Sequence, residues 1–187
     1  RMTNWIAYSD DHGRTWKASN RLEEPRSPKG FAEASVSQRS DGSLLMIMRT
    51  TLGQSFLTES FDEGATWSVA RPSGIVTPAA PSLLTRIPEN GHLLLVWNPH
   101  YNPDRSLRDQ RCTLLCAVSR DDGRSWELPK ALETDTRCSW DYPSVLFHGS
   151  DVHLFYRRGS SATNAEGKPY GVYDLIHARM PVSWLYD

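Results

Sequence analysis

Several features are scarce in this 187-residue chain, and each scarcity removes a class of answer. No apolar run approaches the ~20 residues of a membrane-spanning helix, and no basic start with an apolar stretch behind it marks a signal peptide. Charge of one sign is lacking too, since 21 basic residues stand against 22 acidic ones. That balance argues against a nucleic-acid partner and against polybasic membrane contact, and no membrane insertion is expected. Cysteine is limited to three residues. Cys112 and Cys116, four apart in a strand-like stretch, would hold their Cα atoms roughly 13 Å apart, beyond the roughly 4.4–6.8 Å that a disulfide spans. Cys138 can meet one of them, which leaves an odd thiol. The six histidines are scattered, without the spacing of a zinc site. No metal and no cofactor is expected.

A sustained 3.6-residue apolar period is also missing. Short alternating or apolar runs recur instead, bounded by Gly, Pro, Asn and Asp. The clearest are Trp5–Ser9, Ala34–Gln38, Leu44–Arg49, Phe56–Ser60, Ser82–Ile87, His92–Trp97, Thr113–Ser119, Ser144–Phe147 and Val152–Arg157. With seven Trp, seven Tyr, five Phe, 12 Gly and 12 Pro, the chain reads as all-β.

What is present in abundance is repetition. Three segments share Ser-x-Asp-x-Gly-x-Thr/Ser-Trp: Ser9 to Trp16, Ser60 to Trp67 and Ser119 to Trp126 with an extra residue before Asp in none of them but variable residues at each x. Their tryptophans are 51 and 59 residues apart, a spacing that suits one propeller blade per repeat. The pattern has the chemistry of a tight turn. Asp can bond backbone amides two residues on, Gly supplies positive φ, and Thr or Ser adds a local bond. The tryptophan is expected to fold back over the blade's core. Asp11, Asp62 and Asp121 are therefore read as turn-formers.

A second turn precedes each of the later two boxes, Ser40-Asp41-Gly42-Ser43 and Glu89-Asn90-Gly91, and His148-Gly149-Ser150-Asp151 joins two strands in the same way. One unit then reads strand, turn, strand, link, strand, box, strand, which is a four-stranded antiparallel blade. Residues 1–24 supply the outer strands of one blade, 31–72 and 80–130 a full blade each, and 140–187 the inner strands of a last blade plus a tail. Within that tail Val172–Ala178 reads as one further strand.

The boxes resemble the Asp-box, or bacterial neuraminidase repeat, of the sialidases, which are six-bladed β-propellers. At about 50 residues per blade six blades need roughly 300 residues, so the chain is expected to be an incomplete propeller of about three blades, similar to the C-terminal half of the family. It opens at Arg1-Met2-Thr3 and reads as cut from something longer. The missing half, or a second copy whose outer strands complete the last blade, is the expected partner. The compartment stays unassigned, with a lean to secreted or periplasmic.

The same resemblance implies a site. The family attacks a sugar that carries a carboxylate on its anomeric carbon, using arginines to hold that carboxylate and a tyrosine nucleophile activated by a glutamate. The stretch from Glu33 through Asp41-Gly42 to Arg49 resembles the one that runs from that glutamate to the family's second arginine. Arg111, leading into Cys112–Ser119, resembles the third arginine, with Arg105 and Arg108 as neighbouring competitors. Trp140-Asp141-Tyr142-Pro143 resembles the nucleophile strand. Tyr142 and Glu33 are thus the implied catalytic pair, and Arg49 and Arg111 the implied substrate-binding residues.

Pro143 departs from the serine typical of sialidases and resembles a related subgroup, as do Thr77-Pro78-Ala79-Ala80-Pro81 and Leu94–Asn98. The first arginine and the acid aspartate belong to blades that this chain does not contain, so the chain alone is expected to be inactive. Two loops, Asn98–Arg105 with its amide, imidazole and phenol groups and Ser160–Tyr170 with Asn164, are read as surface loops. The resemblance implies a parent that cleaves a terminal sialic acid or related acidic sugar, its partner being an acidic glycan. A non-catalytic carbohydrate-binding propeller and a propeller glycosidase of other sugar specificity stand as alternatives.

Overall fold

The computed structural model describes residues 4–163 and 166–187, without the side chains of residues 107, 108, 163, 169 and 170. Among the described residues thirteen strands form four antiparallel sheets. The first pairs β1 (Ala7–Tyr8) with β2 (Lys17–Ala18). The second orders β3 (Ala32–Gln38), β4 (Leu44–Arg49), β5 (Gln54–Ser60) and β6 (Arg71–Val76) as a meander, and the third does the same with β7 (Leu83–Arg86), β8 (Leu93–Trp97), β9 (Leu114–Ser119) and β10 (Glu127–Glu133). The last holds β11 (Ser139–His148), β12 (Asp151–Thr163) and β13 (Pro169–Pro181). The one-turn helix α1 (Leu107–Gln110) lies between β8 and β9, and a 3₁₀ turn spans Val182–Leu185.

Central strands bury both faces, which is why they read as unbroken apolar runs. On β4, Met46 and Met48 enter one core with Phe31, Phe56 and Trp67, while Leu45 and Ile47 enter another with Leu84, Leu93 and Leu95. On β8, Leu94 and Val96 face a third core with Trp140, Val152, Leu154 and Tyr156. Four-stranded sheets packed face to face, without closure into a barrel, make this an all-β, incomplete propeller.

The boxes fold alike, and not quite as the sequence suggested. In each, Asp accepts from the amide four residues on rather than two: Asp11 from Thr15, Asp62 from Thr66 and Asp121 from Ser125, all at 2.8 Å. The same hydroxyl bonds the other carboxylate oxygen at 2.6 Å. The leading serine accepts from the glycine amide, as Ser119 does from Gly123 at 2.7 Å. Glycine is required there, because Gly123 has φ +84° and an added Cβ would stand 2.6 Å from a Leu45 methyl.

Two of the box tryptophans pack between their own sheet and the preceding one. Trp67 is 5% exposed in the core shared with Leu22 and Phe31, and Trp126 borders the core shared with Leu45 and Leu57. Trp16 breaks the expectation at 66% exposed, since no sheet precedes β1 among the described residues.

The further strand read at Val172–Ala178 is longer in the structure than the sequence suggested. The tail is a full third strand: β13 pairs with β12 from Asp151↔Pro181 to Thr163↔Pro169. Most of the surface insertion expected at Ser160–Tyr170 is therefore hairpin, with Asn164 outside the described residues. A second copy's β1 and β2 would find the third-strand place already filled by β13. Where a box would follow that strand, the 3₁₀ turn instead buries Val182 and Leu185 in the core shared with the third sheet.

Hydrogen bonds from Ser125 hold the Asp121 carboxyl down at about 2, below the ordinary carboxylate range. A depressed folded value stabilises the protein above the unfolded value and is lost as pH falls through the folded one. Asp121→Asn should therefore melt about 2–4 °C below wild type at neutral pH, with the gap closing as pH falls from about 4 toward 2. A gap that persists unchanged at the acid end would show that the carboxylate's charge contributes nothing.

Candidate active site

The strand directions put all three boxes on one rim and the sequence-selected residues on the other, where β3, β9 and β11 begin and β4 ends. Two bulges shape this second rim. On β3 the pairing steps from Ala32↔Arg49 to Ser35↔Ile47, so Glu33 and Ala34 face the single residue Met48. On β11 it steps from Asp141↔Arg157 to Ser144↔Phe155, so Tyr142 and Pro143 face Tyr156 alone. Bulges leave a residue out of the ladder and re-aim its side chain. They also tolerate Pro143, which has no amide to donate. Glu33 and Tyr142 both carry left-handed backbone, φ 46° and 55°, a conformation that costs a non-glycine residue on the order of 1–3 kcal/mol.

The two strained residues meet. Tyr142 Oη donates to Glu33 Oε1 at 3.0 Å across 109 residues of chain, and Arg49 Nη1 donates to Glu33 Oε2. Tyr142 is 46% exposed, in contrast to a core tyrosine. A second Tyr–Glu pair offers a contrast: Tyr156 Oη donates to Glu133 at 2.6 Å, but it is buried beside Trp140, and desolvation pushes its phenol far up. That pair belongs to packing.

Arg111 is brought to the same rim and then tied down. It is buried, with Nη1 on Asp141 Oδ2 at 2.6 Å and Nη2 on the carbonyl of Ala79. It joins Tyr142 only through Asp141. The Thr77–Pro81 segment thus serves to anchor Arg111. Asn98, fully buried, donates through Nδ2 to the carbonyls of Thr113 and Trp140 at 2.7 and 2.8 Å, tying the start of β9 to β11. Arg105 lines a separate cavity of about 300 Å³ with His100, Tyr101, Asn102, Asp109, Gln110 and Cys112, and the Arg108 side chain lies outside the described residues. The three cysteines are free thiols, Cys116 pushed up to about 11 by burial. Among the described residues no group of three or more His, Cys, Asp or Glu is placed to hold a metal ion.

Sequence reasoning missed Asp141 and Arg157. Asp141 is 1% exposed and accepts from both Arg111 and Arg157. The signal was within reach, because a carboxylate beside the tyrosine lies across the hairpin from Arg157-Arg158. Replacing it strands the buried Arg111 guanidinium and frees the partly exposed Arg157. Asp141→Asn should lower the unfolding free energy by about 3–5 kcal/mol, measured by urea denaturation. A loss under about 1 kcal/mol would mark a solvated surface pair instead.

Among solved structures, the chain is similar to the leech intramolecular trans-sialidase (22% identity, TM-score 0.66, 96% of this chain and 27% of that one). It is also similar to the Ruminococcus gnavus intramolecular trans-sialidase (20%, 0.67, 96% and 38%) and to the Trypanosoma rangeli sialidase (18%, 0.68, 98% and 28%). At these identities the likeness is one of fold, and the chain spans less than half the length of each. No curated protein matches the chain. The model of the BNR repeat-like domain matches residues 1–154, and with three Asp boxes folded alike in propeller-type sheets, the chain belongs to that family.

Proposed function

We propose that this chain carries the nucleophile half of a sialidase-like glycosidase site, acting on a glycan that ends in sialic acid or a related acidic sugar. The observation that carries the reading is the Tyr142–Glu33 hydrogen bond, made by two residues that each occupy a bulge and a strained backbone. Strain of this kind persists where the surroundings over-determine it, and it clusters at functional sites. The proposed step is a displacement. Tyr142 Oη bonds the anomeric carbon while its proton passes to Glu33, and the glycosidic C–O bond breaks with its electron pair on the leaving oxygen. Water then hydrolyses the tyrosyl intermediate, giving net retention. Phenol suits this substrate because, unlike a carboxylate nucleophile, it is neutral as the substrate's own anion approaches. Arg49 is the proposed carboxylate donor. The acid that protonates the leaving group is assigned to the rest of a complete propeller.

One observation favours a second reading. Asp141 occupies on Arg111 the place that a substrate carboxylate would take, so this site offers fewer open guanidiniums to an anion. A propeller glycosidase of other sugar specificity fits that arrangement, with Arg111 serving the framework.

The test is covalent labelling of the full chain with 2,3-difluorosialic acid, the ligand of the Trypanosoma rangeli covalent intermediate, read by intact mass and peptide mapping. The expected adduct sits on Tyr142, is absent in Tyr142→Phe and forms about 10²-fold more slowly in Glu33→Gln. An adduct elsewhere removes Tyr142 from the chemistry. No adduct, together with turnover of a neutral fluorogenic glycoside that Tyr142→Phe abolishes, selects the second reading.

A further inference from the structure

A second cation lies against the face of the Tyr142 ring, and the electrostatics of its anchor do not require it. Arg157, on β12, holds Asp141 in a two-pronged contact, Nε to Oδ1 at 2.7 Å and Nη2 to Oδ2 at 2.8 Å. Its guanidinium carbon stands 4.8 Å from the centroid of the Tyr142 ring and 4.6 Å from that of Tyr173 on β13. Arg111 already supplies one positive charge to the single negative charge of Asp141. Two guanidiniums on one carboxylate leave a surplus cation, and the further contacts of Arg157 are the two aromatic rings.

The far side of the stack is built to receive Tyr173. An added Cβ at Gly159 would stand 3.3 Å from the Tyr173 ring and 2.4 Å from Ser139 Oγ, and one at Gly171 would also meet that ring at 3.3 Å. The ring therefore lies against backbone that no side chain can share. Against both rings the guanidinium is fixed in its plane by the fork on Asp141, a geometry that the point charge of lysine cannot reproduce.

Tyr142 itself needs such a support. Its backbone is strained, its side chain is half exposed, and its hydroxyl has one partner, Glu33, on another sheet. We infer that Arg157 is a positioning residue for Tyr142: clamped by Asp141 and backed by Tyr173, it holds the phenol ring in the orientation from which Oη reaches Glu33. The catalytic meaning of this clamp rests on the function proposed above, but the clamp itself does not.

The experiment separates the two. The full chain is labelled with 3-fluorotyrosine, and the ¹⁹F resonance of Tyr142 is assigned by its loss in Tyr142→Phe. In Arg157→Met, which keeps the length of the side chain and leaves Asp141 paired to Arg111, that resonance should move toward the position of the free amino acid. Arg157→Lys should behave like Arg157→Met, while Tyr173→Phe, which keeps the ring, should hold the wild-type position. Should Arg157→Met fail to fold, Tyr173→Ala carries the same expectation. A resonance unchanged in the folded variant overturns the inference, whatever the activity. In a preparation that turns over substrate, Arg157→Met should lower kcat by about 10²-fold with KM little changed. A displaced resonance in a chain that 2,3-difluorosialic acid does not label keeps the clamp and removes the sialic-acid reading of the site.

Discussion

The central strands of this chain bury both of their faces, and most of the architecture follows from how that burial is arranged. Along β4, alternate residues serve two different cores, Met46 and Met48 on one side and Leu45 and Ile47 on the other. On β8, Leu93 and Leu95 face one core while Leu94 and Val96 face the next. Each such side chain contributes about 1.5–3 kcal/mol on full burial, so a sheet is stable only as a wedge between two others. A strand that is apolar on both faces has no polarity to forbid a one-residue slip. Register must then be held by polar pins. Ser35 supplies one, with its hydroxyl accepting from the Leu84 amide at 2.9 Å and donating to the Leu84 carbonyl at 3.0 Å across two sheets. The Asp boxes supply the others at the opposite rim.

The innermost strands β3 and β11 depart from this regularity at equivalent places, and the departure creates the site. Regular pairing through the Gln38↔Leu44 turn would set Glu33 opposite Arg49 in the ladder. The bulge sets Ala32 there and frees Glu33 to turn toward Tyr142. Regular pairing through His148↔Asp151 would likewise set Arg158 opposite Asp141. The bulge substitutes Arg157, which brings a guanidinium to the Tyr142 ring, while Arg158 pairs with Asp174 on the other side of the sheet. One inserted residue thus decides which arginine reaches the tyrosine.

This explains what could be read from the residues and what could not. The apolar runs and the boxes were legible because their signals are local: five consecutive apolar side chains, or a serine, aspartate, glycine and tryptophan at fixed offsets. The Glu33–Tyr142 contact was legible through resemblance, since nothing local joins residues 109 apart. Positive φ at Glu33, Leu128 and Tyr142 carried no sequence mark, because none of the three is a glycine or asparagine. Arg111 was read as a free donor because the pairing capacity of Asp141 shows only once the bulge has placed it. Trp16 matches its two counterparts in sequence, but among the described residues no preceding sheet covers it.

The two rims are held by interactions of different range, and that difference bears on function. Within a box every bond closes over two to four residues, as in the Ser9–Asp11, Ser9–Gly13 and Asp11–Thr15 contacts, so each turn can form from its own segment. The site rim depends on Tyr142 to Glu33, Arg111 to Asp141 and Asn98 to Trp140, separated by 109, 30 and 42 residues. Those contacts exist only after three sheets have packed at the right angle. Small rotations between sheets therefore leave the boxes intact while opening the gap between Tyr142 and Glu33. Chemistry placed at that rim is sensitive to the whole stack of sheets, and the Arg111–Asp141–Arg157 network, buried at Arg111 and Asp141 and drawing on two sheets, is positioned to resist that rotation.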